Sequence, residues 1–116
     1  MKFDIEDRLI HFASSVIQIS ESLPDLKSAQ HLGGQLLRSG TAPALMYGEA
    51  QAAESKNDFI HKMKMALKEL RETSVCLRII HLRRYLNSED VPALLRENFE
   101  LIAIFVKSIK TASVSK

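Results

Sequence analysis

From Phe59 to Ile80 the chain repeats one helical pattern: Phe59, Met63, Ala66, Leu70, Thr73, Leu77 and Ile80 follow one another at steps of four and three. That spacing keeps a single stripe on one side of an α-helix and is incompatible with the strict alternation of a half-buried strand. Held for about 30 residues with its flanks, it predicts a long bundle or coiled-coil helix, whose apolar face must be covered by other helices. The rest of the chain supplies them. Ile5, Leu9, Phe12, Val16, Ile19 and Leu23 repeat the same steps, with Ile10, Ala13 and Ile17 widening the stripe. Leu95, Phe99, Ile102, Val106 and Ile109 form another stripe, while Leu94, Leu101, Ile104 and Phe105 lie off it. This is more apolar surface than one bundle core needs, and it predicts self-association.

The breaks between these stripes carry helix-end chemistry. Proline has no amide hydrogen and disfavours a helical residue before it, so Leu23-Pro24 ends the first helix and opens the second near Asp25. Ser55 to Asp58 read as a capping box, the serine accepting from the amide three residues on and the acid reaching back. Asn87, Ser88, Glu89 and Asp90 supply N-cap types, with Pro92 suited to a first turn. The expected helices are 4–22, 25–53, 56–87 and 90–111, within one domain spanning 1–116; the tail from Thr111 to Lys116 is expected to fray. Short connections make neighbours antiparallel, giving an all-α, up-down-up-down four-helix bundle.

The second helix is the irregular one. Its expected stripe, Gly33, Leu37, Gly40, Ala44 and Tyr47, is rich in small residues. Each glycine costs about 1 kcal/mol against alanine inside a helix, so close approach by a neighbouring helix is expected to offset it. Pro43 predicts a kink one turn earlier, near Ser39 and Gly40, with Tyr47 and Glu49 at an inter-helix contact.

With 116 residues, the chain is large enough for one core without metals or disulfides. The single cysteine, Cys76, reads as a buried small hydrophobe in a reducing compartment. With acids by the fourth residue and no apolar run of membrane length, the expectation is a cytoplasmic chain with no membrane partner. Asp58 and His61 have an acid-x-x-His spacing, but di-iron bundles need two such motifs, and His11, His31 and His81 follow Arg8, Ser28 and Arg78 at that distance. No phosphate loop or dinucleotide fingerprint is present. No catalytic residue, metal, cofactor or small-molecule substrate is therefore expected.

Charge is unevenly placed, although the chain carries only +2. Met1 to Asp25 holds five acids against two bases, whereas Lys56 to Arg84 holds eight bases against three acids, net +5. Lys62, Lys64, Lys68, Arg71, Arg78, Arg83 and Arg84 are the candidate nucleic-acid-binding residues, because clustered cations release counterions from a phosphate backbone. A solvated charged helix face is the competing reading.

Arg38-Ser39-Gly40-Thr41, then Tyr47, Glu49 and Ala50, then Glu54-Ser55-Lys56 with Asp58, Phe59, Ile60 and His61, and finally Ala66-Leu67-Lys68-Glu69 with Glu72 form a recognisable series. Across it the chain resembles the four-helix-bundle family of proteins encoded in intervening sequences of bacterial large-subunit ribosomal RNA genes, more loosely over nearly the whole length. Met46 stands where that family usually has asparagine, and Gly48 where it often has arginine, which weakens the case for a polar site in the kinked segment. The resemblance implies an antiparallel bundle assembled as a ring of five. Related accessory proteins of diversity-generating retroelements are similar five-fold barrels that look like nucleic-acid or ribonucleoprotein binders. The leading expectation is a non-enzymatic homo-oligomer binding RNA or a ribonucleoprotein; the rival is a structural protein-interaction module with no nucleic-acid partner.

Overall fold

The computed structural model describes residues 4–114. Four helices, α1 (Ile5–Ser22), α2 (Lys27–Gln51), α3 (Lys56–Arg83) and α4 (Asp90–Val114), pack in chain order around one core, each against its sequence neighbour, with α4 closing against α1. It is an antiparallel four-helix bundle.

The helix ends follow local chemistry. Asp4 caps α1 by accepting from the Asp7 amide at 2.8 Å. At its other end Leu23 is extended before Pro24, and α2 starts at Lys27 rather than 25. Its first turn is tied back when the Gln30 side chain donates to the Pro24 carbonyl. Ser55 caps α3 as expected, accepting from the Asp58 amide at 3.0 Å, but the Asp58 carboxylate reaches past it to the Glu54 amide at 3.4 Å.

Three C-terminal helix ends also differ from those expected. α2 stops at Gln51, not 53, where the Ala52 and Ala53 amides donate in tight turns to Glu49 and Ala50. α3 stops at Arg83 rather than 87 because Arg84 is left-handed (φ 54°, ψ 41°), and its amide turns back to the His81 carbonyl. The expected fray at Thr111 is instead helix up to Val114, with Ser113 donating to the Ile109 carbonyl at 2.8 Å; Ser115 and Lys116 lie outside the described residues.

The core is built from Leu9, Phe12, Val16 and Ile19 of α1 and from Met63, Ala66, Leu70, Leu77 and Ile80 of α3, on the expected stripes. On α2 the buried set is Ala29, Gly33, Leu36, Ser39, Gly40, Pro43 and Ala50. Leu37, expected inside, is 41% exposed. Helical geometry is continuous through Pro43. The small residues do permit close approach: a β-carbon on Gly40 would lie 2.6 Å from a Val16 methyl. On α4 the expected stripe lies at the margin of the core, with Leu95, Ile102 and Ile109 half-buried against it. Val91, Leu94, Asn98, Leu101 and Phe105 are buried, whereas Phe99 and Val106 face solvent. The polar Asn98 conceals the true core stripe by interrupting its apolar run.

Candidate nucleic-acid interface

Opposite the buried side of α3 runs a second stripe at the same steps of four and three: Lys64, Lys68, Arg71, Val75, Arg78 and Leu82, all exposed. Its four cations make no ion pair or hydrogen bond among the described residues, because the bridging acids lie elsewhere. Lys64 to Arg78 is 14 residues, roughly 21 Å of helix at 1.5 Å per residue. Unpaired cations in such a row are free to exchange their counterions for phosphate oxygens.

The other three expected residues lie apart from this row. Lys62 is half-buried and bonded to Glu49 at 2.7 Å, and that hydrogen bond raises its pKa above the ordinary lysine value. It is a neutralised seam cation. Arg83 and Arg84 are exposed at the C-terminal end of α3, where positive charge complements the helix dipole.

The surface around the stripe was not legible as such from the sequence. Val75 is 53% and Leu82 80% exposed. With Ile79, Arg78 and Leu95 they line a groove of about 490 Å³ between α3 and α4. Phe99, 52% exposed, continues the apolar surface along α4. The available signal was Val75 and Leu82, two apolar residues on the second half of the basic stripe, where a purely solvated face would carry polar ones.

The motif residues hold α2 against α3. The Arg38 guanidinium forks between Glu72 and Glu69, the latter at 3.1 Å, and hydrogen bonds to Glu72 first and Glu69 second raise its pKa. Glu49 is bonded to Lys62, Ser55 caps α3, and half-buried Phe59 packs on the core. Lys56 is exposed in the first turn of α3. Tyr47 sets its ring 6.0 Å from that of Phe105, tilted by 58°; burial is the main reason its hydroxyl pKa is raised. Arg38, Glu49 and Glu72 form a hairpin seam between α2 and α3, Tyr47 reaches across to α4, and the exposed cations lie outside the seam.

Asp58 is engaged as a cap acceptor and His61 is exposed. No group of three metal-ligand types converges among the described residues. The Cys76 thiol is buried and donates to the Leu32 carbonyl at 3.3 Å; burial, then the Glu72 charge, pushes its pKa up to about 11. A thiol so protonated at neutral pH is a poor nucleophile. No helix among the described residues is long and apolar enough to cross a membrane.

No curated protein matches the chain. A solved structure from Bacteroides thetaiotaomicron, described as a protein with unknown function from the S23 ribosomal protein family, is 28% identical. The match covers 92% of this chain and 99% of that one, with a TM-score of 0.85. The model of the 23S rRNA-intervening sequence proteins matches residues 1–107, so the capped four-helix scaffold and its α2–α3 seam belong to a member of the 23S rRNA-intervening sequence protein family.

Proposed function

We propose that this protein is a non-enzymatic, self-associating helical bundle that binds the phosphate backbone of structured RNA, free or within a ribonucleoprotein. The observation that carries the reading is the row Lys64, Lys68, Arg71 and Arg78, exposed, unpaired and aligned on one side of α3. Family membership favours ribosomal RNA as the nucleic acid, and the resemblance favours five copies per assembly. Repeating the row around a closed assembly multiplies its field even though each chain carries only +2.

A second reading, a protein-interaction module without nucleic acid, is favoured by Val75 and Leu82, which interrupt the basic row with exposed apolar surface. Light scattering for mass, followed by titration of a labelled structured RNA at low and moderate salt, separates the two. Binding that weakens with salt, and weakens less steeply after Lys64, Lys68 and Arg71 are replaced by glutamine, supports the RNA reading. An oligomer that binds no RNA at low salt leaves only the second.

A further inference from the structure

The chain turns from α3 into α4 around a pocket of about 510 Å³, lined by His81, Leu82, Arg84, Leu86, Asn87 and Glu89. That volume falls within the roughly 300–1,000 Å³ of small-molecule sites. His81 and Leu82 stand between it and the groove beside α4. Its walls are mixed: Leu82, 80% exposed, and half-buried Leu86 are apolar, the His81 ring and the Arg84 guanidinium are flat, and Asn87 and Glu89 bring hydrogen-bonding groups. His81, Arg84, Asn87 and Glu89 are all exposed, and their side chains have no ion pair or hydrogen bond among the described residues.

Two further observations bear on this pocket. Arg84 holds the left-handed position that ends α3 (φ 54°, ψ 41°), a place that glycine usually fills because it has no β-carbon to strain. An arginine there costs the chain stability that no contact of its side chain returns among the described residues. The basic stripe also runs into the pocket. After Arg78 the next position on that side of α3 is Leu82, four residues or roughly 6 Å further along the helix, and Leu82 is a wall of the pocket. An RNA strand whose phosphates follow Lys64, Lys68, Arg71 and Arg78 therefore arrives at its mouth.

We propose that this pocket receives one unpaired base of the bound RNA, with adenine preferred. The inference rests on the RNA binding proposed above and adds to it a means of choosing among RNAs. Bases splayed out of loops and bulges stack on arginine and histidine planes, and the pocket offers one of each, with Leu82 and Leu86 to cover the rest of an apolar face. An asparagine amide matches the edge of adenine with two hydrogen bonds, one given and one received, which is the part assigned to Asn87. Glu89 accepts from an exocyclic amine and repels the carbonyl oxygens of uracil. A phosphate fits the same walls poorly, because it would meet the Glu89 carboxylate and two leucines. A base inside a duplex does not enter, since its edge is paired and its faces are stacked.

Three labelled RNA duplexes with the same number of phosphates test this by fluorescence anisotropy at low salt: one fully paired, one with a single bulged adenine and one with a single bulged uracil. The expected result is that the bulged adenine binds about tenfold tighter than the paired duplex, an effect of the size of one stacked base, and tighter than the bulged uracil. Asn87→Ala should erase the preference for adenine over uracil. Arg84→Gly, which restores the favoured residue to the left-handed position and so keeps the fold, should bring both bulged RNAs toward the paired one. Ratios of affinity are compared, so the lost Arg84 charge, which weakens all three alike, drops out. A parent that binds paired and bulged RNA equally, or preferences that survive in the double variant Arg84→Gly with Asn87→Ala, overturn the base pocket and leave phosphate binding standing. Equal affinity for the two bulges overturns the assignment of adenine. A parent that binds none of the three overturns RNA binding itself.

Discussion

Gly40 and Gly48 sit two turns apart on α2 in opposite surroundings. A methyl at Gly40 would meet the Val16 side chain at 2.6 Å, and because Val16 is fully buried it has nowhere to retreat. At Gly48 a methyl meets nothing within 4 Å. Gly40→Ala is therefore expected to cost about 1–3 kcal/mol through overpacking, whereas Gly48→Ala should gain about 0.5–1 kcal/mol from helix propensity. Urea midpoints at matched protein concentration measure both, and equal effects would show that α1 yields to α2. Cys76 gives a pH prediction at the same scale. Its folded pKa is raised above the ordinary value of 9.0 to about 11, so the unfolded thiol ionises first. The contribution of Cys76 to stability is thus complete below pH 9 and is lost as pH rises toward 11. At pH 8 a thiol reagent should label the unfolded chain and leave the folded one nearly untouched; rapid labelling of folded protein would refute its burial.

Periodicity located the helices because burial on one side imposes it, but it does not say which of two stripes is buried. α1 and α3 have one dominant apolar stripe each, and both stripes face the core, but Ile10 and Ile17, expected to widen that of α1, are 54% and 40% exposed because they lie on its outer side. α4 has two, at Val91, Leu94, Asn98, Leu101 and Phe105 and at Leu95, Phe99, Ile102, Val106 and Ile109. The unbroken run is the marginal one. Likewise on α2, Leu36 and Leu37 differ by one residue and only packing against α1 and α3 distinguishes them. The basic stripe of α3 was legible as composition, while the pairing of Lys62 with Glu49 depends on α2 and was not. The buried Asn98 that misled the pattern is itself testable. Its side-chain nitrogen donates to the Leu70 carbonyl at 3.1 Å, but its oxygen is buried without a partner among the described residues. Leu70 keeps its own helical amide partner, so Asn98→Leu removes one net hydrogen bond worth about 1 kcal/mol and an orphaned acceptor costing about 1–3. Added apolar burial acts in the same direction, and the urea midpoint should rise by about 1 kcal/mol in stability. A fall would mean the amide bond to α3 outweighs the orphan.

At the scale of the whole molecule, apolar contacts and phosphate contacts respond to salt in different ways, so one variable distinguishes the interfaces proposed here. The proposed self-association draws on exposed apolar side chains such as Leu45, Val75 and Leu82, and burial of such surface does not depend on screening. Its few charged neighbours are screened within about 10 Å at 0.1 M salt, a modest loss beside the apolar area. Phosphate binding behaves otherwise, because each neutralised phosphate releases condensed counterions and the logarithm of affinity falls by about 0.9 for each contact per decade of salt. If Lys64, Lys68 and Arg71 of one subunit each hold a phosphate of a duplex, raising salt fourfold should lower affinity roughly forty-fold, and more where several subunits engage one RNA. Mass measured across the same range should stay constant. Replacing the three residues by glutamine should reduce the slope by nearly three for each engaged subunit, with no change in mass. A slope that persists in that variant would move the phosphate contacts to Arg78, Arg83 and Arg84, toward the C-terminal end of α3.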